Sequence, residues 1–160
     1  MSNSTLHDEH AGSFSRFYED YHPGEEIVHS ISKTITQGEH QLFTLLTMNH
    51  HPVHISEEFA KKSEFGRILV NGTYVFSLVV GLTVPDLSYN ATANLGYKSV
   101  EHCGPVFEGD TLHAKSEVLS KRVSASRKGS GIVCFRTEGY VGDKKVITLS
   151  RCILIPHRNA

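Results

Sequence analysis

Apolar and polar positions follow two different patterns in the first third of the chain. Between residues 26 and 36, β-branched residues are mixed with Ser, Thr and Lys, which predicts a half-buried strand. Thr36 and Glu39 then form a capping box, and an apolar stripe after it predicts a helix of about ten residues. The stripe consists of Leu42, Phe43, Leu45 and Leu46. Because proline lacks an amide proton, Pro52 should end this helix and leave residues 50–55 as a loop.

The strongest helical pattern lies in the middle of the chain. Residues 73–82 (TYVFSLVVGL) are apolar on nearly every face, which is expected of a helix buried on all sides. Asn71 is a good cap for this helix, and Gly72 opens it. A shorter helix should begin near Ser56, because two glutamates follow it in the first turn and favour the positive end of the helix dipole.

The second half of the chain has the pattern of a β-sheet. Four strand-like runs cover residues 92–103, 111–125, 131–141 and 144–155. The sequence Val141-Gly142-Asp143-Lys144 predicts a hairpin between the last two runs. One strand, then helices, then several strands is the order of an α+β fold in which an antiparallel sheet wraps around one buried helix.

Composition narrows the classes of function. The formal net charge of −1 and the sequence pI near 6.8 argue against a nucleic-acid partner, since no broad positive field is present. Residues 1–14 are polar and unpatterned, so we expect a flexible tail without a signal peptide. The longest apolar run is too short to span a membrane. Cys103, Cys134 and Cys152 lack CxxC spacing, and we expect reduced, mostly buried thiols and a cytoplasmic location.

A short histidine-rich segment and the start of the central helix carry the candidate chemistry. Asn49-His50-His51-Pro52-Val53-His54, followed by the Asn71-Gly72 pair, resembles the MaoC-like, (R)-specific enoyl-CoA hydratase family. That family carries Asp-x-Asn-Pro-x-His, then Phe-x-Arg-Pro, then a His-Gly pair that opens its central helix. The matching positions here are Pro52, His54, Phe65, Arg67 and Gly72. The segment GPVFEGDTL, residues 104–112, looks like the family's turn into its third long strand.

The resemblance implies a fold, a substrate and an assembly. The fold would be an α+β hot dog, a long antiparallel sheet around a central buried helix, with residues 15–160 forming a single domain. The substrate would be an acyl-CoA, and coenzyme A would enter only as part of it, with no separate cofactor and no metal. The assembly would be a homodimer, a dimer of dimers or a trimer of dimers.

Four positions depart from the family's pattern. Asn49 stands where the family has its catalytic Asp, and an amide cannot take a proton from water. The other departures are His51 for Asn, Ile68 for Pro and Asn71 for His. The form Leu46-Thr47-Met48-Asn49 is similar to a branch of the family associated with branched or dicarboxylic substrates such as mesaconyl-CoA and itaconyl-CoA.

Hydration of a 2-enoyl thioester requires a held water, a proton relay and donors for the thioester oxygen. We assign the proton relay to His54, the orientation of water to Asn49 and the donor to the backbone amide of Gly72. The residues predicted to contact the substrate are Asn71, Arg67 and His51.

Other interpretations remain open from the sequence. His54 is a bystander in one of them, and in another it binds a metal together with His50 and His51. Asn71 serves equally well as a helix cap, and Arg67 as a surface residue. A non-catalytic acyl-CoA-binding module is an alternative to the hydratase because Asn49 replaces the catalytic Asp. A thioesterase is less favoured, since the central helix carries no carboxylate to activate water.

Overall fold

A computed structural model describes residues 16–160, so the predicted tail at residues 1–14 lies outside the described part of the chain. Six strands form one antiparallel sheet in the order β1-β4-β5-β6-β3, and β2 also pairs with β4. The strands are β1 Glu26–Val28, β2 Lys33–Thr34, β3 Ala93–His102, β4 Thr111–Val123, β5 Ser130–Val141 and β6 Lys144–Pro156. The helices are α1 Gln37–Leu46, α2 Pro52–Ile55, α3 Glu57–Lys62 and α4 Gly72–Leu82.

The central helix α4 packs against the inner face of the sheet. Its buried side chains Tyr74, Val75, Val79 and Leu82 join a core cluster with residues of β4 and β6. Contact is closest at Gly139 of β5, where an added Cβ would lie 2.7 Å from both Val79 and Ile147. Glycine therefore allows helix and sheet to approach. This is the α+β hot-dog arrangement that the sequence predicts.

Burial of α4 on all sides, as predicted, is wrong for the single chain. Phe76, Leu78 and Val80 are only partly buried, because the sheet covers one face of the helix. A similar difference occurs in α1, where the predicted helix and its Thr36 cap are confirmed. Its Leu42, Leu45 and Leu46 side chains face outward, however, whereas Phe43 packs partly buried against the core, and the buried side chains of α1 are His40 and Thr44.

Two predicted elements between residues 26 and 55 need correction. The strand over residues 26–36 is divided into β1 and β2, because residues 29–32 stand opposite only residues 113 and 114 of β4 and cannot keep the pairing register. The His29 ring is hydrogen-bonded to Asp86 at 3.0 Å and to Ser116 at 2.8 Å, which holds this ring in the interior. The predicted loop at residues 50–55 contains α2. Proline is tolerated there because Pro52 occupies the first helical position, where an amide proton has no intrahelical acceptor.

The strands of the second half match the prediction within a few residues, including the hairpin at Gly142 between β5 and β6. Strand β3 forms one edge of the sheet, and every residue from Asn94 to His102 is exposed in the single chain. In residues 16–160, no helix has the length and apolar character needed to cross a bilayer.

The prediction of three reduced, mostly buried thiols is wrong. Cys134 of β5 and Cys152 of β6 form a disulfide, because the antiparallel register places them directly opposite each other. Their Cα atoms are 4.0 Å apart. Cys103 is a free thiol and is exposed. Pairing across two strands depends on register, which cysteine spacing alone does not reveal.

Candidate active site

The segment that follows α1 carries Asn49 on the surface. Helix α1 ends with Thr47 as its cap, and Met48 adopts a left-handed backbone conformation with φ of 59°. The amide of Asn49 then donates to the Thr44 carbonyl at 3.1 Å, which closes the turn. The Asn49 side chain is exposed at the entrance to α2.

His54 lies in α2 and is held by the strand-like segment before α4. Its Nδ1 lies 2.7 Å from the carbonyl oxygen of Leu69, and the Leu69 amide donates to the Val53 carbonyl at 3.1 Å. Because a carbonyl can only accept, Nδ1 carries the proton and Nε2 keeps its lone pair. The segment therefore fixes the tautomer of His54 in which Nε2 can act as a base.

The surroundings of His54 favour its neutral form. Burial lowers the pKa of His54 below its ordinary value, and the nearby His40 and His51 rings also lower it. The hydrogen bond to Leu69 opposes this shift without overcoming it. The ring centroids of His40 and His51 lie 6.1 Å and 6.0 Å from that of His54. The half-buried His54 imidazole is therefore available as a base at neutral pH.

His40 is a buried residue of the site that the sequence analysis missed. It is fully buried in α1, its Nδ1 lies 2.9 Å from a Glu108 carboxylate oxygen, and its Nε2 accepts from the Asn71 amide at 2.9 Å. Since Nε2 accepts, Nδ1 donates to Glu108. His40 thus ties α1 to the start of α4. The available signal was a histidine within the predicted helix, but its partners are far away in sequence.

Asn71 caps α4, which is one of the two roles, helix cap or substrate contact, that the sequence leaves open for it. Its Oδ1 accepts from the Thr73 amide at 3.0 Å and from the Thr73 hydroxyl at 2.7 Å. The Asn71 side chain is buried, and its Nδ2 makes no hydrogen bond within the described residues. The amide of Gly72 occupies the first position of α4, where a helix offers no internal acceptor. Two donors are therefore present at this helix end.

A cavity of about 330 Å³ opens beside Gly72. Its walls are mostly apolar and include Phe65, Leu69, Val75 and Val106. His102, at the end of β3, also lines it and was not singled out from the sequence. A Cβ built on Gly72 would lie 2.9 Å from Cε1 of the His102 ring, so glycine is needed for this contact. The cavity lies against the same Leu69 residue that holds His54.

The predicted site residues thus occupy neighbouring positions around Leu69 and the start of α4. Gly72 lines the cavity, and His54 is bonded to Leu69, which also lines it. That His54, Asn49 and the Gly72 amide share one cleft stays a prediction, because among the described residues neither Asn49 nor His54 lines the cavity of this single chain.

The remaining candidates have local contacts of their own. His51 caps α2, its Nδ1 accepting from the Val53 amide at 3.3 Å. Arg67 is exposed and stacks on Phe107, with its guanidinium carbon 3.7 Å from the ring centroid. Their predicted contacts with a substrate stay predictions. In residues 16–160, no group of three or more His, Cys, Asp or Glu side chains is arranged to hold a metal ion.

The fold and the His54 arrangement define a hot-dog protein with a candidate general base beside the central helix. The chain belongs to the MaoC like domain family, which matches residues 19–135. The chain is 43% identical over 124 residues to a mesaconyl-CoA hydratase of Cereibacter sphaeroides, covering 78% of this chain and 36% of that protein. It is 35% identical over 144 residues to a β-methylmalyl-CoA dehydratase of Chloroflexus aurantiacus, covering 89% of this chain and 41% of that protein. The chain therefore spans about two fifths of the length of these curated relatives.

A solved structure of similar length gives the same architecture. The (R)-hydratase from A. caviae involved in PHA biosynthesis superposes with a TM-score of 0.72 and 26% sequence identity. The superposition covers 86% of this chain and 99% of that chain. One hot-dog unit of this size is therefore a complete chain in that protein.

Proposed function

We propose that this protein is a carbon–oxygen lyase that adds water to a short or branched 2-enoyl-CoA thioester and catalyses the reverse dehydration. The observation that carries the proposal is the hydrogen bond from His54 Nδ1 to the Leu69 carbonyl, which leaves Nε2 as a neutral base. The names of the relatives, a mesaconyl-CoA hydratase and a β-methylmalyl-CoA dehydratase, support the same reaction in its two directions.

In the proposed mechanism, His54 performs both proton transfers. Nε2 takes a proton from water while the oxygen attacks the β-carbon, and the resulting imidazolium returns that proton to the α-carbon. The Gly72 amide donates to the thioester oxygen as it gains negative charge, assisted by the positive end of α4. Asn49 orients the water through its side-chain carbonyl. Water and substrate supply every atom of the product, so coenzyme A enters only as part of the substrate.

The proposed location is the cytoplasm, where CoA thioesters are metabolised. The proposed substrate belongs to the mesaconyl-CoA or itaconyl-CoA type. The 43% identity to a mesaconyl-CoA hydratase supports this substrate type. Substrate contacts are proposed for Asn71, whose buried Nδ2 makes no hydrogen bond within residues 16–160, and for Arg67 and His51 at the surface.

We further propose a homodimer, with larger assemblies of dimers as its extension. Edge strand β3 is ten residues long and exposed, and Phe76 of α4 packs edge-to-face on Tyr97 of this strand with ring centroids 4.8 Å apart. An unpaired edge that continues into a partly covered helix face favours pairing with a second copy.

Loss of the enoyl absorbance of crotonyl-CoA and mesaconyl-CoA tests the activity directly. Replacing His54 by Ala should lower hydration by roughly a hundredfold or more while acyl-CoA binding is retained, because a positioned acid–base group contributes on that order. His113→Ala, on the outer sheet face, is the control. If the wild-type protein binds acyl-CoA but hydrates neither substrate, the non-catalytic binding module takes the place of the enzyme. Release of free thiol would instead favour a thioesterase.

A further inference from the structure

The cavity beside Gly72 has the His102 imidazole in a mostly apolar wall, to which the free cysteine Cys103 also contributes. Phe65, Leu69, Val75 and Val106 contribute apolar surface, whereas the His102 imidazole lies where the cavity meets the start of α4. A purely hydrocarbon acyl group would need no hydrogen-bonding ring at this place, since a small acyl chain gains its affinity from apolar contact.

The position of His102 is fixed by the fold and by Gly72. Residue His102 pairs with Ile147 at the end of β3, and its ring packs over the Gly72 backbone. A Cβ at Gly72 would lie 3.0 Å from His102 Nε2 as well as 2.9 Å from Cε1. The imidazole is exposed on its other side. A ligand at the Gly72 amide would therefore meet the His102 ring next.

Two donor residues, Gly72 and His102, line the cavity at this end of α4, and a third donor, on Asn71, is buried outside the cavity lining. The Gly72 amide has no acceptor within its helix, and an imidazole offers an N–H in either protonation state. The thioester oxygen accounts for the Gly72 amide in the proposed reaction. The His102 ring and the positive end of the helix dipole favour a second anionic group on the acyl chain.

We propose that His102 binds a second carboxylate on the acyl group and thereby selects thioesters of dicarboxylic acids over simple enoyl thioesters. This inference rests on the proposed function, because it requires an acyl-CoA to bind in this cavity. His102 is a specificity-determining residue in this account, and the chemistry remains with His54.

Succinyl-CoA and butyryl-CoA provide a matched pair of probes. Both are saturated and cannot be hydrated, and they differ only in a carboxylate or a methyl group at the end of the acyl chain. Calorimetry on the full chain should show that the wild-type protein binds succinyl-CoA about tenfold or more tightly than butyryl-CoA, as expected for a hydrogen bond to a charged group.

Replacing His102 by Leu should remove this preference and leave the butyryl-CoA Kd within about twofold of the wild-type value. His102→Gln, which keeps an N–H donor, should retain part of the preference. His113→Leu is the control, because His113 stacks on Tyr140 on the outer face of the sheet, with ring centroids 6.0 Å apart. In turnover, His102→Leu should lower the ratio of kcat/KM for mesaconyl-CoA to kcat/KM for crotonyl-CoA by about tenfold.

The binding and turnover results separate the two proposals. A wild-type protein without a preference for succinyl-CoA, or a His102→Leu variant that keeps it, overturns the role of His102 even if hydration is observed. A wild-type protein that hydrates neither crotonyl-CoA nor mesaconyl-CoA overturns the proposed reaction, whereas a preference abolished by His102→Leu still supports the carboxylate site. Circular dichroism spectra matching the wild type would show that the variants are folded.

Discussion

The pKa of His54 is set by influences of opposite sign. Burial lowers its pKa, and the Leu69 carbonyl partly restores it by accepting from Nδ1. Because the charged form is the one disfavoured, His54 is the neutral base over a wider acidic range than an exposed histidine. This property suits a residue that must first accept a proton from water.

The pH dependence of kcat/KM follows from the sign of this shift. The proposed mechanism requires neutral His54, so activity should be fully present above the ordinary histidine pKa and fall only when the pH drops below it. A pH profile from 4.5 to 8.5 with crotonyl-CoA measures the acid limb. The ordinary pKa of histidine is near 6.5. An acid limb centred above that value would contradict the lowered pKa of His54.

Asn49 is the second residue whose proposed role can be tested by substitution. Replacing Asn49 by Asp restores a carboxylate that can take a proton, and we expect higher activity on simple enoyl-CoA substrates. Asn49→Ala should reduce hydration less than His54→Ala does, since only water orientation is lost. Initial rates with crotonyl-CoA compare the three variants. Equal rates for the wild type, Asn49→Asp and Asn49→Ala would exclude any part for Asn49.

Local sequence predicted some features of the site and not others. The Asn71 cap follows from local sequence, because the helix start lies next to it, and His54 was singled out by the resemblance of its segment to the family's motif. His40 and His102 could not be found in this way. His40 acts on Asn71, 31 residues away, and His102 reaches Gly72 through the pairing of β3 with β6. Their positions depend on tertiary packing that no local pattern contains.

At the level of elements, the contact between α4 and the sheet can be tested by measuring the free energy of unfolding of glycine variants. Gly139→Ala should destabilise the fold by about 1–3 kcal/mol, because its Cβ would overlap Val79 and Ile147 at 2.7 Å. Gly81 is the matched control in α4, where an added Cβ meets nothing within 4 Å. Gly81→Ala should stabilise by about 0.5–1 kcal/mol through helix propensity. Urea unfolding of both variants measures their free energies of unfolding. Equal changes in the two variants would mean that the helix is free to move off the sheet.

The elements themselves were largely predictable, and the errors have physical causes. Long strands and α4 carry strong periodic patterns, so their bounds agree within a few residues. The division of the first strand depends on its register against β4, where residues 29–32 lie opposite only residues 113 and 114. The disulfide depends on the register of β5 and β6, which the hairpin at Gly142 and the register shift between Gly139 and Tyr140 set together and which cysteine spacing does not show.

At the scale of the whole molecule, the edge strand β3 and the helix face beside it remain uncovered in the single chain. Edge strand β3 exposes Leu95, Tyr97 and Val100, and the adjoining side of α4 leaves Phe76, Leu78 and Val80 partly buried. The opposite edge is formed by β1 and β2, which have three and two residues. Only the β3 edge is therefore long enough for extended pairing with another sheet.

A substitution on β3 tests the homodimer proposed above. Val100 is 40% exposed in the single chain, and replacing it by Lys places a charge on the pairing edge. Sedimentation should show the wild-type protein as a dimer or a multiple of dimers, and Val100→Lys shifted toward the monomer. Val123→Lys is the control, because Val123 is 63% exposed at the far end of β4 and away from this edge. The charge on β3 weakens association because burying an unpaired lysine costs more than the lost valine contact. A monomeric wild-type protein, or equal dimer stability in both variants, would show that β3 is not the interface.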